Sequence, residues 1–75
     1  MEERVFAWSR GRRVRIVVDE VPGGYGPLFD RVVRDARWIE DRDRLADEVS
    51  AVFGSYVRLA RREIDGIEEL VLTVG

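Results

Sequence analysis

"VRLARREIDGIEELVLTV", residues 57–74, decides the fold. Asp65-Gly66 stands between Ile64 and Ile67. Asp-Gly is a strong signal for a two-residue hairpin turn, because both central positions of that turn need positive φ. Beyond the turn Leu70, Leu72 and Val74 alternate, and before it Val57 and Leu59 do the same. Side chains alternate between the two faces of a strand, so each arm has one apolar face. The pattern predicts a hairpin with arms at 56–64 and 67–74.

Working outward, Gly54 marks the end of a helix, where a left-handed residue is needed. Leu45, Ala46, Val49, Val52 and Phe53 form that helix's apolar face, and Asp41 or Asp43 is placed to cap its start. An earlier stripe, Leu28, Phe29, Val32, Val33 and Ala36, recurs at three- and four-residue spacing and predicts another amphipathic helix. Pro27 suits its first position, where a missing N–H costs nothing. "PGGYGP", residues 22–27, reads as a loop. Ahead of it, "RVFAW" (4–8) and "RVRIVVDEV" (13–21) are rich in β-branched and aromatic residues. "SRGR" between them makes a first hairpin. The expected fold is α+β and a single small domain covering residues 1–75, in the order β-β-α-α-β-β. It is an antiparallel four-stranded sheet built from two hairpins, with both helices on one face.

Composition narrows the chemistry. Seventy-five residues with 45% hydrophobic content support one core, and a chain this short buries only roughly 60% of its unfolded surface. There is no Cys and no His, which removes disulfides, thiolate metal sites and the commonest general base. Ser9, Ser50 and Ser55 have neither His nor Lys to activate them. In "GGYGP" Gly24 and Gly26 have no third glycine in register, and no Lys or Ser/Thr follows as a phosphate loop requires. The acids Glu40, Asp41, Asp43, Asp47 and Glu48 lack the spacing of a calcium loop and alternate with Arg42 and Arg44, as on a solvated helix. No cofactor and no catalytic residue is expected. No apolar run approaches the roughly 20 residues of a membrane helix, and "MEERVFAWSR" lacks the layout of a signal peptide. A soluble cytoplasmic protein with no membrane partner is expected.

All 13 basic residues are Arg, and Lys, Asn and Gln are absent. Avoidance of thermolabile amides, with 37% charged residues, fits a thermophile. Charge is uneven: residues 1–15 carry five Arg against two Glu, residues 16–53 five Arg against nine acids.

If Val14, Ile16, Val18, Val57, Leu59, Leu70 and Leu72 face the helices, the other sheet face carries Arg13, Arg15, Tyr56, Arg58, Arg62, Val71 and Thr73. Guanidinium groups that pair with phosphates and rings that stack on bases are how small sheet domains hold RNA. Arg61, on the opposite side of its strand, joins Arg58 and Arg62 as a candidate contact. The same face also reads as an ordinary solvated one, its arginines paired across strands with Asp19, Glu63, Glu68 and Glu69. Phe6, Trp8 and Trp38 are expected in the core; an exposed Trp would mark a protein interface.

Residues 41–70 resemble the archaeal large-subunit ribosomal protein LX family. The resemblance rests on the helix "DRLADEVSAVF", Gly54-Ser55, Arg58, the pair Arg61-Arg62, and Ile64, Ile67, Glu68 and Glu69. It implies a ribosomal component whose Arg58, Arg61 and Arg62 touch ribosomal RNA. The expected function is a non-enzymatic RNA-contacting module. The alternative is a small protein-interaction or oligomerisation module, which would use Trp8, Trp38 or an open sheet edge that another chain extends.

Overall fold

The computed structural model describes residues 1–19 and 23–75. The elements run β1 (Glu2–Trp8), a 3-10 turn (Ser9–Gly11), β2 (Arg12–Val18), α1 (Gly26–Ala36), α2 (Arg42–Phe53), β3 (Val57–Ile64) and β4 (Ile67–Val74). The expected order β-β-α-α-β-β holds. The expected strand over 13–21 ends at Val18, and its last two residues lie outside the described ones, as does Pro22 of the expected loop.

The wholly antiparallel sheet is corrected. The strand order is β1-β2-β4-β3, and the central pair β2–β4 is parallel. The hairpins β1–β2 and β3–β4 are antiparallel. Burial gives the reason. Val14, Ile16 and Val18 of β2 and Leu70, Leu72 and Val74 of β4 are the sheet's most apolar alternations, and all six are buried. Pairing these strands side by side (Val14 opposite Leu70, Ile16 opposite Leu72, Val18 opposite Val74) builds one continuous apolar floor. The polar β1 and β3 are left as edges, where charged side chains are tolerated.

Both helices cover that floor. α1 buries Phe29, Val32 and Ala36, and α2 buries Leu45, Val49 and Val52. Asp41 caps α2, its carboxylate accepting the Asp43 N–H at 2.8 Å. Gly54 ends it at φ 67°. The β3–β4 turn has positive φ at Asp65 (53°) and Gly66 (77°), as a type I′ turn demands. Between the helices Ile39 drops into the core, and its carbonyl accepts the Trp8 indole N–H at 2.8 Å. Arg12 stacks on the Trp8 ring at 4.0 Å and donates to the Ser9 and Glu40 carbonyls. The β1–β2 turn is thereby tied to the interhelical linker. Trp8 and Phe6 pack in or against the core as expected. Trp38 does not: it is 76% exposed, because Ile39 takes the inward position next to it.

Candidate functional site

The candidate site is the sheet face that the helices leave bare. Register and alternation place its residues on a lattice of four columns, β1-β2-β4-β3. One row reads Ala7, Arg13, Glu69, Arg62; the next Val5, Arg15, Val71, Ala60; the next Glu3, Val17, Thr73, Arg58. Ile67 and Ile64 extend it at the hairpin end.

At its centre lies Glu69, 0% exposed although no helix covers it. It is the one charged side chain that is buried among the described residues. Its Oε1 accepts Arg15 Nε at 2.9 Å, Arg62 Nε at 3.0 Å and Arg62 Nη2 at 2.6 Å. Arg15 also gives Nη1 to Glu3 Oε1 at 2.6 Å. Burial pushes the Glu69 carboxyl up, but the hydrogen bonds and charges of Arg15 and Arg62 outweigh it and hold the group below its ordinary value. The hydrogen bond to Glu69 raises Arg15 above its own ordinary value, against some desolvation. Among the described residues two buried side-chain atoms have no hydrogen-bond partner: Glu69 Oε2 and Arg13 Nε. Their residues stand opposite each other on β2 and β4.

Arg13, Arg15, Arg58 and Arg62 are gathered on this face, as expected. Tyr56 sits just before β3, 73% exposed, its carbonyl accepting the Gly75 N–H. Arg61 is not part of the face. It lies opposite Leu70, on the helix side, and pairs with Glu68 at 3.2 Å. Of the face arginines, Arg15 and Arg62 are held by Glu69. Arg58 is exposed, with no partner among the described residues.

Sequence reasoning placed Glu69 among the acids able to pair with the arginines but did not make it the hub. Its alternation with Ile67, Val71 and Thr73 puts a carboxylate in a central strand between two arginine-bearing ones, and that was the available signal. The apolar members Val5, Ala7, Ala60, Ile64 and Ile67 were also missed. They become one surface only once the strand order is known. Among the described residues no helix is long and apolar enough to cross a membrane.

In comparisons with known proteins, no family model, no curated protein and no solved structure matches this chain.

Proposed function

We propose that this chain is a non-enzymatic protein-interaction module that docks another polypeptide on its bare sheet face, working in the cytoplasm. One observation carries the reading: the face presents Val5, Ala7, Val17, Ala60, Ile64, Ile67 and Val71, and Arg15, Glu69 and Arg62 among its charges are already bonded to one another. A phosphate receptor needs guanidinium edges free to reach outward, whereas Arg15 and Arg62 spend theirs on Glu69. Apolar side chains flanking a central cluster whose carboxylate is already bonded give a polypeptide partner surface to cover. The exposed indole of Trp38 supports the same class of function at a second place.

The second reading, an RNA-contacting module and ribosomal component, is favoured by Arg58 and Arg13. Both lie on this face without a carboxylate partner among the described residues.

Panning a random peptide library against the immobilised chain tests the two. Selected peptides are expected to lose binding to Val71→Glu, at the centre of the face, and to keep it with Glu68→Gln on the helix side. Peptides that ignore Val71→Glu would overturn the interaction reading. So would tight binding of a structured RNA with affinity falling steeply with salt, the signature of phosphate contacts.

A further inference from the structure

We infer that the polypeptide received by the bare face is a second copy of this chain, related by a two-fold axis that runs along the strands between β2 and β4. The inference rests on the interaction reading above and names its partner.

The lattice is complementary to itself under that one rotation. A two-fold along the strands keeps each row and exchanges the columns, β1 for β3 and β2 for β4. Glu3 of one copy then meets Arg58 of the other, because both stand in the same row at opposite edges. Arg13 meets Glu69 of the second copy by the same exchange. Those two residues carry the buried atoms left unbonded among the described residues, Arg13 Nε and Glu69 Oε2. Unpaired buried polar atoms are rare in native structures, and a turn of the Arg13 side chain across the interface supplies both partners. Among the remaining positions Val5 meets Ala60 and Val17 meets Thr73, while Val71 and Ala7 meet Arg15 and Arg62, whose aliphatic stems can cover them. Every contact occurs twice, as an isologous interface requires.

The charges exclude the competing arrangement. A two-fold across the strands keeps columns and inverts rows, which sets Arg58 against Arg62 of the other copy at both ends. The chosen axis leaves the strands of the two sheets aligned, the common geometry for sheets packed face to face. Four arginines against two carboxylates leave each face with an excess of positive charge. That excess of two falls on Arg62, at the β3 edge and 47% exposed, and on Arg15, 24% exposed, both of which share Glu69 of their own chain.

Size sets the strength. Four strands about 4.8 Å apart and about seven residues at ~3.4 Å each give a face of roughly 450 Å², so two copies bury about 900 Å². This lies below the usual range of specific interfaces and belongs to weak association, in the micromolar range.

Sedimentation equilibrium of the pure chain across low to high micromolar concentrations tests the proposal, with circular dichroism confirming that each variant folds. The mass should climb from 8.7 kDa toward twice that value. Glu3→Arg or Arg58→Glu alone places like charges across both symmetric contacts and should weaken association at least tenfold. Mixing the two single variants should restore it, since each then meets its opposite; so should both changes in one chain. A chain that stays monomeric throughout, single variants that associate like the parent, or a mixture that fails to associate would each overturn the proposal. If the chain is monomeric yet binds panned peptides in a Val71-dependent way, the second copy is refuted and the docking face stands. If dimers form unimpaired by Val71→Glu, both fail.

Discussion

Replacing Glu69 by Gln removes one charge from the centre of the bare face with little change in shape. The cost lies between two limits. Breaking a fully buried ion pair costs about 3–5 kcal/mol, and an exposed pair contributes under about 1 kcal/mol. Glu69 is buried, but the side chains of Arg15 and Arg62 are 24% and 47% exposed and can turn back to water. A loss of about 1–2 kcal/mol at neutral pH follows. For a 75-residue chain with a total stability of roughly 4–11 kcal/mol, this is a large share. Urea unfolding at low micromolar concentration, followed through the buried Trp8, reads it directly. With a slope of about 1 kcal/mol per molar urea, the midpoint should fall by about 1–2 M.

The pH dependence of that gap is the sharper test. The folded carboxyl is held below its ordinary value near 4.5. As pH falls past 4.5 the unfolded chain takes up a proton at Glu69 while the folded chain resists, so the stabilisation begins to drain. It is gone once pH passes below the folded value. The Gln variant lacks this group, and the two curves should converge in strong acid. Equal midpoints at neutral pH would refute the hub. A gap that persists undiminished in acid would show that the loss comes from packing and not from charge.

Other outcomes follow from single positions. Gly66→Val should cost more than about 1 kcal/mol, because a β-branched side chain resists the positive φ of 77° at that position; thermal unfolding measures it, and a neutral result would mean that the turn takes another form. Trp8→Phe should cost about 1–2 kcal/mol by leaving the buried Ile39 carbonyl unpaired, whereas Trp38→Phe should be neutral; equal losses in urea unfolding would contradict the placement of the two rings. Iodide should quench Trp38 and spare Trp8, so Trp38→Phe should leave a fluorescence nearly insensitive to the quencher. Arg58→Ala should change stability by less than about 0.5 kcal/mol, while Arg62→Ala, which removes two of the bonds to Glu69, should lower the urea midpoint; the reverse ranking would undo the register of β3.

Much of the fold was legible because local rules and packing agree. Asp41 as a cap, Gly54 as a left-handed stop and Asp65-Gly66 as a turn are short-range signals, and each appears where the residue type demands it. The side of each strand was legible for the same reason, since alternation assigns Val14, Ile16, Leu70 and Leu72 together. Trp38 was misassigned because adjacent residues at a helix junction compete for one inward position, and Ile39 takes it. Neighbours across the sheet are a longer-range matter, and the candidate site depends on them. Arg62 and Glu69 meet through the β3–β4 hairpin itself, but Arg15 lies 54 residues from Glu69 in sequence, and only the order β1-β2-β4-β3 brings it into the cluster.

That order was nonetheless implicit in the apolar residues and the helix count. The two strands with three fully apolar inward positions, β2 and β4, belong at the centre, since an edge would leave that surface half covered. Their relative direction follows from the connection. Two helices joined by the short segment 37–41 lie antiparallel as close neighbours do, so the chain comes back to the end of the sheet where β2 finished. β3 then runs against β2, and β4, after the tight turn, runs with it. Once β2 and β4 are adjacent, parallel pairing is forced. A wholly antiparallel sheet would have required the more polar β3 beside β2, or β1 beside β4, and so at least one of the strongest apolar strands at an edge. The central parallel pair also sets Arg13 opposite Glu69 and carries Arg15 within reach of it. The same preference for burying Val14, Ile16, Leu70 and Leu72 therefore builds the core on one side and assembles the charged cluster on the other.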